Sequence, residues 1–187
     1  MRKLILASAL VAAPVVTANA ADSYTIDPTH TFPNFTINHL GFSTLHGRFD
    51  STKGKITLDR ANNTGSVDIS IDAGSISTGF KKRDDHLRSP DFLNVGEFPE
   101  ITYKSTKVSL KGDAALVEGN LTIMGVSKPV TLNVTHISCG THPFNKKQVC
   151  GFEASATIKR SDFGVKYGLP AIGDEMPITL EAEAVKD

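Results

Sequence analysis

Val67, Ile69 and Ile71 alternate with Ser66, Asp68, Ser70 and Asp72. A segment that switches between apolar and polar at every residue is served best by an extended strand, whose successive side chains point to opposite faces. The same period recurs along the chain. Phe35, Ile37 and His39 alternate with Asn34, Thr36 and Asn38, Ile101 and Tyr103 with Thr102 and Lys104, and Val130, Leu132 and Val134 with Thr131, Asn133 and Thr135. Ile178, Leu180, Ala182 and Ala184 repeat it near the C-terminus. Turn residues punctuate these runs at Asn62-Asn63-Thr64-Gly65, Lys111-Gly112-Asp113 and Met124-Gly125. Leu45 to Asp50 and Lys53 to Leu58 read as two strands, or as one long strand bent at Gly54. With no repeat and no linker, this pattern predicts a single all-β domain of eight or more short antiparallel strands, a barrel or a sandwich. Runs that turn at single glycines favour the barrel.

One stretch departs from the pattern. From Lys81 to Arg88 the chain is dense in charge, and Phe80, Asp84 and Leu87 fall at helical spacing. Pro90 ends that short helix, because the residue before a proline is pushed out of the helical region. Asp84 and Arg88 stand four apart and can pair on its surface. Phe92, Leu93, Val95 and Phe98 follow with no strand period. They predict an irregular apolar strap over one end of the sheet, lying against a core, a ligand cavity, or both.

The N-terminus carries Arg2 and Lys3, an apolar run from Leu4 to Val16, and the small-x-small triplet Ala18-Asn19-Ala20. This is the layout of a cleavable secretory signal over residues 1–20, leaving a domain over 21–187 in the periplasm. The apolar run is short for a membrane anchor, and no later segment is apolar enough to span a bilayer, so the chain reads as no integral membrane protein. Without Arg2 and Lys3, 18 basic residues stand against 20 acidic ones. Such a balance lacks the basic excess that nucleic-acid binding demands. Export permits a disulfide between Cys139 and Cys150, with two separate thiols as the alternative.

The motifs give catalysis no support. Six histidines show no recognised metal-ligand spacing, and HExxH, CxxC and the nucleophile elbow GxSxG do not occur. No metal or required cofactor is expected. Ten phenylalanines and no tryptophan supply an apolar interior, which the sequence leaves open as a filled core or a lined tunnel.

Several runs resemble a known family. They are Tyr24-Thr25-Ile26-Asp27, His30-x-Phe32, His39-Leu40-Gly41-Phe42 and the more specific Arg83-Asp84-x-His86-Leu87-Arg88-Ser89-x-Asp91-Phe92-Leu93. Phe98-Pro99-x-Ile101, Gly119 to Val130, Gly151-Phe152-Glu153-Ala154 and Ser161-Asp162-Phe163 follow in order. Together they resemble the YceI-like periplasmic lipid-binding proteins across nearly the whole mature chain. The resemblance implies an extended eight-stranded antiparallel lipocalin-like barrel that holds a polyisoprenoid lipid or quinone for transport or storage, without established enzymatic activity. It also implies links to acid or osmotic stress and an option of homodimers. A fatty-acyl ligand in the same barrel, and a filled structural or interaction protein, are the alternatives.

In such a barrel the tunnel falls to strand residues Phe35, Ile37, His39, Phe49, Ile69 and Ala182, with Phe42 at the first bend. The lid falls to Phe80, Leu87, Phe92 and Phe98. Arg83, His86 and Arg88 are rim candidates for a polar head group, or a structural network tying the helix to the barrel edge.

Overall fold

The computed structural model describes residues 21–187, so the expected signal segment lies outside the described residues. Eleven strands follow in order: β1 (Asp22–Ile26), β2 (Phe32–His39), β3 (Ser43–Phe49), β4 (Thr52–Asp59), β5 (Thr64–Asp72), β6 (Ile76–Ser77), β7 (Glu100–Lys111), β8 (Ala114–Ile123), β9 (Val126–Thr141), β10 (Gln148–Lys159) and β11 (Glu175–Lys186). One helix, α1 (Lys81–Arg88), stands between β6 and β7.

Eight of these strands close a ring in the order β1-β4-β5-β7-β8-β9-β10-β11, with β11 pairing back onto β1. Every pairing is antiparallel. The remaining strands extend three of the staves. One edge of β11 is shared: Ile178–Glu181 pairs with β2, and Ala184–Lys186 pairs with β1. β1 and β2 are thus one stave broken at residues 27–31. β3 and β4 form another, broken at Asp50-Ser51, and β5 and β6 a third, broken by the single turn Ala73–Ser75.

The breaks have local causes. Pro28 has no N–H to give a ladder, and the Asp27 carboxylate accepts from Thr29 N at 2.9 Å and Thr29 Oγ1 at 2.6 Å, folding the chain into a turn. Gly54 does not bend the chain, contrary to one expectation. It lies inside β4 at φ 149°, where a Cβ would stand 2.2 Å from Asp68 O. The strands are also longer than the short runs expected, and β9 reaches 16 residues.

The register divides the barrel into two ends. The β2–β3 hairpin, α1, the strap at 89–99, the β8–β9 turn and the loop at 164–174 gather at one, the lid end. The start of β1, the C-terminus, the β4–β5 and β7–β8 turns and the β9–β10 hairpin gather at the other. Tyr24, Ile26, Leu58, Ala115, Ile137 and Ala184 pack the terminal end, each buried. Cys139 and Cys150, direct partners on β9 and β10 with Cα atoms 4.0 Å apart, form a disulfide there.

The helix occupies the expected residues, and of the face read from spacing Asp84 and Leu87 turn inward while Phe80 is exposed. Asp84 is buried and accepts from Thr78 N at 3.0 Å and from the Thr78 hydroxyl. It therefore does not pair with Arg88, which reaches Asp85 instead at 3.1 Å. The strap is fastened by main-chain bonds, Leu93 N to Leu87 O and Val95 N to Arg88 O, both 3.0 Å, and it packs Leu93 and Val95 against the core.

Candidate ligand cavity

Inward positions on β10 and β11 set the lumen. Phe152 faces Ala182, Ala154 faces Leu180 and Ala156 faces Ile178. Alanines at these sites leave space that a larger side chain would fill. The lumen is a cavity of about 440 Å³, within the usual range of ligand cavities. Its wall is overwhelmingly aliphatic and aromatic, drawn from every stave of the barrel.

Phe35, Ile37, His39, Phe49, Ile69 and Ala182 lie on that wall, and Leu87 and Phe92 close it from the lid. Three residues assigned to tunnel or lid lie elsewhere. Phe42 is 89% exposed, because Leu40 and Gly41 turn with φ of 58° and 75° and carry it past the end of the sheet. Phe80 is the N-cap of α1 and 56% exposed, with the Arg83 guanidinium over its ring. Phe98 packs outside the lumen on the β8–β9 turn, against Gly125.

The charged residues of the lid brace the main chain. Arg83 donates from Nε to Thr78 Oγ1 and from Nη2 to Thr78 O, both at 2.7 Å. Arg88 donates from Nε to Gly74 O at 2.7 Å and from Nη2 to Ile76 O at 2.8 Å, and it is not part of the cavity wall. The geometry is that of the structural network, tying α1 to the end of β6. His86 faces Asp91 at 2.9 Å and stacks edge-on with Phe92 and Tyr167, ring centres 5.0 and 5.1 Å away. These three rings also contact the cavity.

Arg160, which the sequence reading missed, holds the other half of the lid. It is 4% exposed and donates to Gly173 O, Val165 O, Tyr167 O and Ile172 O at 2.8–3.1 Å. Burial pulls its pKa down, and it stays charged because a guanidinium does not deprotonate in proteins. The loop it grips also bonds the β2–β3 hairpin, through Leu40 N to Ala171 O at 3.1 Å and Gly173 N to Asn38 O at 2.9 Å. Tyr103, on the opposite wall, shares its hydroxyl between Val117 O at 2.9 Å and Val130 O at 3.0 Å, and burial pushes its pKa up to about 12.

Outside the barrel, Asp27, His30 and Glu183 approach one another where β1 meets β2. Burial works against the Asp27 charge, but hydrogen bonds from Thr29 and His30 outweigh it and hold the carboxyl at about 2. That bond and the Asp27 charge raise His30. His39 lies at the far end of β2 and does not join it.

A closed antiparallel barrel with a helix-and-strap lid over an apolar lumen defines a lipocalin-like barrel protein. Residues 24–184 match the YceI-like domain, and the chain belongs to the YceI-like family. A UPF0312 protein of Pseudomonas paraeruginosa is 40% identical over 190 residues, spanning 100% of this chain and 99% of that one. Two solved structures share the fold. Burkholderia cenocepacia BcnA superposes with a TM-score of 0.75 at 24% identity, over 85% of this chain and 99% of its own. A polyisoprenoid binding domain from Saccharophagus degradans superposes with a TM-score of 0.66 at 18% identity, over 88% and 98%.

Proposed function

We propose that this protein is a non-catalytic carrier that transports or stores a long isoprenoid lipid, an isoprenoid quinone or a precursor of one, in the periplasm after removal of residues 1–20. The observation that carries this reading is the 440 Å³ apolar lumen, kept open by Ala154, Ala156 and Ala182 in a barrel whose terminal end is packed. Each Å² of tail surface buried there contributes about 25 cal/mol, so affinity follows chain length until the lumen is full. The polyisoprenoid binding domain with the same fold supports a prenyl tail over a straight acyl chain.

Native mass spectrometry of protein taken from the periplasm, followed by solvent extraction, tests the reading. The expected result is one apolar adduct per chain, identified as prenyl lipid. A titration of delipidated protein with prenyl alcohols of increasing length should show affinity that climbs and then stops. Adduct-free protein that also ignores the whole series would refute a carrier role. Preference for straight acyl chains would replace the prenyl assignment.

A further inference from the structure

Where a ligand's polar end is read depends on which polar groups are free to read it. The two arginines on the cavity wall are occupied. Arg83 is bound to Thr78, and Arg160 to four main-chain carbonyls. Arg160 spends four of its five N–H groups on the loop, whereas Arg83 spends two on Thr78. Among the described residues, two buried side-chain oxygens have no hydrogen-bond partner, Thr52 Oγ1 and Ser70 Oγ. Ser70 is outside the cavity wall, but Thr52 is part of it.

Thr52 opens β4 at its lid-facing end, opposite Ile71 and next to the stave break at Asp50-Ser51. It is 2% exposed. Gly54, Ile56 and Leu58 follow at the same parity, so no polar side chain of its own strand stands beside it on the inner face. Thr31, also buried on the cavity wall at a stave break, shows the ordinary arrangement: its Oγ1 donates to Glu183 O and accepts from Glu183 N, each at 3.2 Å. Buried hydroxyls are nearly always paired in this way. The Thr52 oxygen is shielded as it stands, and rotation about χ1 between staggered wells exchanges it with another substituent of Cβ.

We infer that Thr52 reads an oxygen of the ligand. The barrel takes an isoprenoid whose end is uncharged and oxygenated, such as a ketone, quinone carbonyl or alcohol. That end stops beneath the lid against the Thr52 hydroxyl, and the tail fills the lumen. A phosphorylated end is disfavoured at this position, since the Thr52 hydroxyl carries no charge and four of the five N–H groups of Arg160 are spent on the loop. This inference rests on the carrier reading and specifies its ligand.

The test uses a matched pair of probes on delipidated protein: farnesylacetone, and its methylene analogue with C=CH₂ in place of C=O. Wild type should bind the ketone more tightly. Thr52→Val, which keeps the shape and removes the hydroxyl, should weaken ketone binding about tenfold and leave the analogue within about twofold. Thr52→Ser should restore the preference. Thr52→Val should melt no lower than wild type, because it removes an unpaired hydroxyl. Equal affinities for the two probes in wild type, or equal losses for both in Thr52→Val, would overturn the inference while leaving the carrier reading intact. So would tighter binding of geranylgeranyl diphosphate than of geranylgeraniol. Failure of wild type to bind either probe would instead remove the carrier reading, and this inference with it.

Discussion

Replacing Arg160 by methionine should unlatch the lid without touching the barrel ladder. The side chains are similar in length, so the change deletes donors more than volume. Four carbonyls, those of Val165, Tyr167, Ile172 and Gly173, lose their partner. A hydrogen bond from a charged donor nets about 1.5–3 kcal/mol, but the four act together and a loosened loop lets water reach some of them. The low end per bond, reduced for that recovery, gives a loss of about 4 kcal/mol. For a domain of this size that lowers Tm by about 8–16 °C. Hydrogen exchange should separate the loop from the barrel, with amides of 165–173 losing protection and those of β7 to β10 keeping theirs. Arg160→Lys should recover little, since three donors on one ammonium cannot reproduce the planar fork. A Tm within about 2 °C of wild type, or a loop that stays protected, would show that the main-chain bonds from Leu40 and Gly173 hold the lid by themselves.

Three other outcomes follow from the structure. Ala156→Phe and Ala182→Phe put a ring into the lumen, so each should shorten the longest prenyl alcohol accepted, measured by titration, while the circular dichroism spectrum stays that of the wild type. Changing both Cys139 and Cys150 to alanine frees a loop closed over a sequence separation of 11 and should cost about 3 kcal/mol in urea unfolding, with the midpoint lowered and a similar slope. Asp27→Asn should bring the His30 pKa down toward its ordinary value in an NMR titration, because the bond and charge that raise it are removed. The raised His30 contributes stability fully present below its unfolded pKa and lost as pH rises through the folded value. The depressed Asp27 contributes stability present above its unfolded pKa and lost as pH falls toward about 2. The pair therefore acts between about 4 and 6.5, the ordinary carboxyl and imidazole values.

Strands were legible because each stave has one face on the lumen and one in water, and that alternation is a property of sequence alone. The helix was legible through charge and Pro90. The disulfide was legible because the export expected from residues 1–20 and a hairpin position agree, and register places the two residues opposite each other. What sequence could not carry was pairing between distant segments. The sharing of the β11 edge between β1 and β2 closes the barrel, and it involves residues more than 140 positions apart. Asp84 illustrates a second limit: helical spacing put it on the face with Leu87, but only the position of Thr78 turns that face into a buried carboxylate site. Phe42 shows a third, since an aromatic at a bend looks like core until the turn is seen to point it outward. Arg160 is different. It continues the parity of Ala154, Ala156 and Ile158, so an inward-facing arginine was readable at the end of β10. A charge at an inward position needs partners, and turn carbonyls are the nearest supply.

The division of labour along the barrel explains how a domain this size keeps an open lumen. An open cavity forfeits packing contacts, as core truncations show. Ring closure offsets part of that by pairing strand edges that would otherwise face water or other chains. The rest of the packing is displaced to the ends. At the terminal end Tyr24, Ile26, Leu58, Ile137 and Ala184 are buried in one cluster with Cys150, one half of the disulfide. Toward the lid, Ile76, Ile101, Ile158, Phe163 and Val165 are buried around the arginine-braced loops. Between them Phe35, Ile37, Ile69 and Leu180 remain only half-buried, because part of their surface faces space instead of neighbours. A ligand tail that fills that space adds burial where the protein has least of its own. Loading should therefore raise stability as well as report binding, with the gain growing as free ligand exceeds its dissociation constant. A delipidated sample whose Tm does not move with prenyl alcohol concentration would mean that the tail does not enter this space.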